Sequence, residues 1–210
     1  LIAFAQKHKG KIEMNCCIGD FVQTSTPVVT LYTNNQITFE EVDKLFVVGS
    51  ERDTRQYPVF AIQKMVEVSL RAISPGINDP NTAIHNIYQL GRLLGSYSQL
   101  PKKDFIFMDE DKQSRVKMSL HSFDELLYQT FHQLRHYGKS DISVMGAITD
   151  SLIMAAVQAP LESKKDIWTI QLYLIEGMEN IDFQSLDRLF YQKKIDKLAN
   201  LVGEESVNGI

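Results

Sequence analysis

Between Arg71 and Ala83 the chain reads Arg-Ala-Ile-Ser-Pro-Gly-Ile-Asn-Asp-Pro-Asn-Thr-Ala, a string that makes one helix stop and another start within a few residues. From Phe60 to Ile73 nearly every position is apolar, which predicts a central helix buried on most of its sides. Pro75 pushes Ser74 out of the α region, and Gly76 is expected to supply the permissive backbone that closes the turn. Asp79 and Pro80 then open the next helix. The aspartate accepts from first-turn amides, and the proline sits at N1, where no donor is needed.

The apolar helix carries one polar seam, in which Gln56, Gln63, Glu67, Arg71 and Ser74 recur at near-helical intervals. In a buried helix such a seam must be satisfied internally, face a polar neighbour or line a pocket. Glu67 precedes Arg71 by one turn in the favourable orientation for an ion pair, worth ~0.3–0.5 kcal/mol if exposed. Mutual neutralisation is the structural reading. The functional reading adds the amides of the next helix N-terminus, which can hold a phosphate or carboxylate with Asn78 and Thr82 in support. Against it, the Asp79 carboxylate already occupies the cap and repels a second anion. The candidate ligand-binding residues are therefore Gln63, Glu67, Arg71, Ser74, Asn78, Asp79 and Thr82, with no catalytic or metal-ligating residue nominated and no cofactor expected.

Patterning divides the chain once. From Lys11 to about Val48 it is β-like: Lys11-Ile-Glu-Met-Asn-Cys alternates, and Val28-Val-Thr-Leu-Tyr32 is bounded by Pro27 and Asn34-Asn35. Gly19 to Val28 also has the look of a biotinyl- or lipoyl-module hairpin, without the carrier lysine those modules need. Beyond residue 56 helices dominate. Pro80 to about Tyr97 carries Gly91 and Gly95, small residues that let another backbone come close. Asp104-Phe-Ile-Phe-Met and Arg115-Val-Lys-Met-Ser read as a hairpin whose acidic tip lacks the ligand spacing of a calcium loop. Ser122-Phe-Asp-Glu125 is a capping-box sequence before the stripe Phe123, Leu127, Phe131 and Leu134. His132 and His136 stand one turn apart, yet no glutamate follows in the zinc-peptidase arrangement and His8, His85 and His121 are scattered, so these read as surface histidines. Asp141 to Ala159 is a nearly uncharged, buried helix ended by Pro160. Helices from Lys164 to about Met178 and from Phe183 to about Leu201, the latter capped by Asp182, complete the chain. The expected fold class is α+β: a small β lobe of barrel-sandwich-like hairpins over 1–50, and a mainly helical body over 51–210 with a hairpin inserted near 104–119.

A net charge of −4 offers no basic field for nucleic acid or anionic lipid. No apolar run approaches the ~18 residues of a membrane span. The adjacent Cys16 and Cys17 suit neither an ordinary disulfide nor a zinc site, which favours a reducing compartment. Gly-rich phosphate loops, nucleophile elbows and Cys-His constellations are missing from the sequence.

Glu51-Arg52, Thr54 and Gln56, then Phe60 to Arg71, and above all Ile73 to Ala83, resemble the signature of a bacterial family of predicted integral-membrane proteins, domain of unknown function 2254. The resemblance runs from about Ile12 to Tyr137. It implies a multi-pass protein whose spans come first, this chain being the soluble part that follows, and the opening at Leu1-Ile-Ala-Phe with helical patterning under way agrees with that. The family places an acid at Glu67 and arginine at Arg71. Tyr57-Pro58 stands where it usually has an aspartate, so no chemistry of that aspartate carries over. The resulting expectation is a non-enzymatic regulatory or assembly domain on the cytoplasmic side of the inner membrane, partnered by its own N-terminal transmembrane region and homo-oligomeric. The alternative is an enzyme or ligand-binding module for a small polar or anionic molecule at a Glu67/Arg71/Asp79 cleft.

Overall fold

Alternation at Lys11-Ile-Glu-Met14 yields strand β1 (Lys11–Met14), paired antiparallel with β2 (Val29–Tyr32). The computed structural model describes residues 1–49, 58–102 and 104–208, which form an α+β fold. Two units are distinguished, Leu1–Phe60 with Pro101–His121, and Ala61–Leu100 with Ser122–Ile210.

In the first unit a four-stranded sheet has the order β2-β1-β4-β3, where β3 (Phe105–Met108) and β4 (Ser114–Met118) form the antiparallel hairpin read from the sequence. β4 lies parallel to β1, with Glu13 opposite Lys117. Period-two alternation turns Ile12, Met14 and Val116 to one face, where they are buried with Ala5 of α1 (Ile2–Lys7) and packed by Phe4, Leu31 and Phe46. On the other face the Tyr32 hydroxyl donates to Glu13 (2.8 Å), and Lys117 bridges Glu13 (2.8 Å) and Asp104 (3.0 Å). A short helix α2 (Phe39–Asp43) follows β2. Residues 15–28 contain turns and no strand, so the expected lipoyl-like hairpin is not formed there. Gly19, at φ 90°, and a Cys17 amide donating to Asp20 (2.8 Å) make a loop turn instead.

The second unit is helical: α3 (Pro58–Ala72) from Ala61 onward, α4 (Pro80–Tyr97), α5 (Phe123–Gly138), α6 (Ile142–Gln158), α7 (Leu161–Glu176) and α8 (Ser185–Val202). At its centre is α6, buried around its whole circumference and packed against α4, α5, α7 and α8. Asp141 caps it, accepting from the Ser143 and Val144 amides. α3 is less buried than expected: it buries Ile62, Val66, Ser69 and Ala72 on one side, and the exposed side takes in Lys64 and Val68 as well as the seam residues Gln63, Glu67 and Arg71. Lys64, Glu67 and Arg71 together make a polar face wide enough to be solvated, and Val68 is carried out with them. Two expected caps also differ. Ser122 precedes α5 without a side-chain cap bond, and α8 begins after Gln184 while Asp182 pairs with Arg188 (3.4 Å).

Within this unit α4 and α6 approach closely at the two α4 glycines. A Cβ on Gly91 would lie 2.6 Å from the Ser151 carbonyl oxygen, and one on Gly95 would meet the Gln158 side chain at 2.8 Å. Between α6, α7 and α8 the buried Tyr191 hydroxyl accepts from Thr149 Oγ1 (3.3 Å) and Gln171 Nε2 (3.2 Å), while the buried Gln171 Oε1 has no hydrogen-bond partner.

Candidate functional site

The corner between α3 and α4 consumes its own hydrogen-bonding groups. The Ser74 amide and hydroxyl both donate to the Arg71 carbonyl (3.2 and 2.6 Å), the Ile77 and Asn78 amides donate to the Ser74 carbonyl (3.0 and 2.8 Å), and the Asp79 amide donates to Ala72 (2.8 Å). The reversal happens at Asn78, whose φ of 50° lies in the left-handed region. Gly76 is not in that region and a Cβ there would meet nothing within 4 Å, so the role expected of Gly76 belongs to Asn78. Asparagine is among the few residues with a side chain that enter this conformation readily. Asp79 caps α4 as read, its carboxylate accepting from the Thr82 amide (3.2 Å) and hydroxyl (2.5 Å). Those two bonds hold its carboxyl below the usual range, the hydroxyl contributing most.

The structure thus gathers Ser74, Asn78, Asp79 and Thr82 at the corner, and sets Gln63, Glu67 and Arg71 along the exposed side of α3. Glu67 pairs with Lys64 (2.8 Å), and no Glu67–Arg71 ion pair is made among the described residues. Glu51, Arg52, Thr54, Gln56 and Tyr57 lie outside the described residues. His132 stacks on Tyr128 (4.9 Å between centroids) and His136 meets Tyr137 edge-on (4.8 Å). Nearby Arg135 lies 3.8 Å over the Tyr173 ring and donates to the Tyr173 carbonyl (3.0 Å), neutralising the C-terminal end of α7. Gly177 leaves room for that side chain, since a Cβ there would sit 2.7 Å from Arg135 Cδ.

One constellation was missed in the sequence. Asp150 on α6 pairs with Lys194 on α8 at 2.6 Å, and Tyr88 on α4 lies within the electrostatic reach of the same carboxylate. Burial first, then Asp150, pushes the Tyr88 phenol up. Lys194 also lies 4.6 Å over the Phe190 ring, in space left by Gly146. Asp150 is the sole charged residue within an otherwise uncharged helix, and that isolation was the available signal. Chemically the Asp150–Lys194 pair is a closed brace of two helices, each charge being met by its partner.

A family model described as "Predicted membrane protein (DUF2254)" matches residues 1–154, which include the corner and Asp150 but not Lys194. Uncharacterized proteins of Mycobacterium bovis and Mycobacterium tuberculosis are each 27% identical to this chain over 128 residues, 61% of it and 25% of theirs. The chain spans about a quarter of the length of the curated relatives it matches. No solved structure matches it. Among the described residues, no helix is long and apolar enough to cross a membrane.

Proposed function

We propose, from the premise that the chain belongs to the DUF2254 family of predicted membrane proteins, that it is a soluble, non-enzymatic regulatory or assembly domain of an inner-membrane protein. Its place is the cytoplasmic side, attached through that protein's own transmembrane region. The observation that carries this reading is the state of the exposed α3 face and corner. Val68 and Ile77 are 51% and 54% exposed there, among polar groups already engaged locally by Lys64, Thr82 and the corner backbone. Apolar side chains set among engaged polar groups suit a protein partner better than a small solute.

The alternative, a module for a small polar or anionic molecule, draws on the exposed Arg71 guanidinium. It would have to displace Thr82 from Asp79 or accept that carboxylate's repulsion.

The test uses the full-length protein in its membrane. Val68→Asp with Ile77→Asp should dissociate the assembly seen by native electrophoresis, while the melting temperature of the 210-residue chain stays unchanged. A reporter fused after Ile210 should report the cytoplasmic side. Unchanged assembly, or a reporter active on the other side, would remove this reading.

A further inference from the structure

We propose that Cys16 and Cys17 are a reversible redox latch: oxidation joins the two neighbours in a disulfide and loosens the loop after β1 from the strands on either side. Both cysteines are half-buried, and neither is in a disulfide. β1 lies between β2 and β4, and the two thiols lean toward opposite neighbours. Cys16 Sγ donates to the carbonyl of Val28, just before β2 (3.8 Å), and Cys17 Sγ donates to that of Ser119, just after β4 (3.3 Å). Burial first, then Asp20, pushes the Cys16 thiol up, so it keeps the proton it donates.

Each of these contacts is weak, but each needs the proton on its sulfur. A disulfide sulfur carries none. Oxidation therefore removes both contacts together, and closing the S–S bond draws onto each other two sulfurs that lean to different strands. The change is passed on, because the Cys17 amide donates to the Asp20 carboxylate (2.8 Å), the Asp20 amide donates to the Cys17 carbonyl (3.2 Å), and His121 lies 3.5 Å from Asp20. Reversibility follows from the spacing. Consecutive Cα atoms stand about 3.8 Å apart, less than the roughly 4.4 Å at which ordinary disulfides begin, and a strained disulfide is the labile kind.

The oxidant is a small disulfide such as glutathione disulfide. One cysteine gives its proton to water, and its thiolate attacks a glutathione sulfur and expels a glutathione thiolate. The neighbouring thiol then loses its proton, attacks the protein sulfur of the mixed disulfide and expels the second. Two cysteine thiols become one S–S bond, and one glutathione disulfide becomes two glutathione thiols.

Treating the 210-residue chain with glutathione disulfide should give a product lighter by two hydrogens, with Cys16 and Cys17 linked inside one proteolytic fragment. Excess reduced glutathione should return it completely. In the oxidised chain the amides of Asn15, Cys17 and Asp20 should exchange with deuterium about tenfold faster or more, since their partners are Val28, Asp20 and Cys17, while α6 is unchanged. Cys16→Ser and Cys17→Ser should each retain glutathione as a mixed disulfide and never lose the two hydrogens. A stable glutathione adduct on the wild-type chain, a disulfide between two chains, a ring that resists excess reduced glutathione, or a ring that leaves those three amides exchanging as before would each overturn the proposal. The latch does not rest on the α3 face, and none of these outcomes bears on the Val68 and Ile77 variants.

Discussion

Asn78 holds the reversal between α3 and α4 at a φ of 50°, where an ordinary side chain is strained by roughly 1–2 kcal/mol. Asn78→Val should therefore cost about that amount in urea denaturation, while Asn78→Gly should stay within about 0.5 kcal/mol of wild type. Gly76→Ala should be neutral or stabilise by about 0.4–1 kcal/mol, since nothing lies within 4 Å and the backbone is outside the left-handed region. The Asp79-Pro80 start was legible because both residues act on their own turn. Which residue would turn left-handed was not, because glycine and asparagine both permit it and only the path of the chain chooses. Asp109 gives a second test. Arg115, at 2.6 Å, is the main reason its carboxyl lies below the usual range. A lowered folded-state pKa contributes stability that is complete above the unfolded value of about 3.9 and lost as pH falls through the folded value. Asp109→Asn should thus unfold at lower denaturant than wild type at neutral pH, and the gap should close below about pH 4.

At the level of elements, α4 and α6 meet through small residues, and the two glycines face different obstacles. A Cβ on Gly91 meets Ser151 backbone at 2.6 and 2.7 Å, so the helices themselves must separate. On Gly95 the nearest atoms belong to the end of the Gln158 side chain, which can swing away, with Ala155 Cα next at 3.3 Å. Gly91→Ala should accordingly cost about 3 kcal/mol or more and Gly95→Ala about 1 kcal/mol, read from thermal melts of otherwise identical chains. The glycine spacing announced close packing in the sequence; the partner helix was not announced, because Ser151 and Ala155 are unremarkable in α6. The opposite error concerns α3. Counting apolar positions made it a buried rod, but Lys64 joins Glu67 and Arg71 to open a solvated face. In α6 the single internal charge, Asp150, closes on Lys194 and leaves the rest free to be buried.

Across the whole molecule, the pairing of β1 with β4 ties Glu13 to Lys117, two residues 104 positions apart. The hairpin containing β4 could be read locally, but strand partnership over that separation leaves no mark in either segment, since pairing depends on loop closure rather than on local preference. It also decides what can fold alone. A chain ending before Pro101 would keep β1 and β2 as a two-stranded ribbon, with Ile12 and Met14 deprived of Val116, and such ribbons are marginal in water. Within the second unit α6 buries its surface against α4, α5, α7 and α8. Joining Leu100 to Ser122 by a flexible linker of about ten residues, in a chain begun at Ala61, should leave that packing intact. Helical circular dichroism with a single cooperative melt is the expected outcome. A broad, non-cooperative melt would mean that residues 101–121 or the first unit supply stability to the helical core.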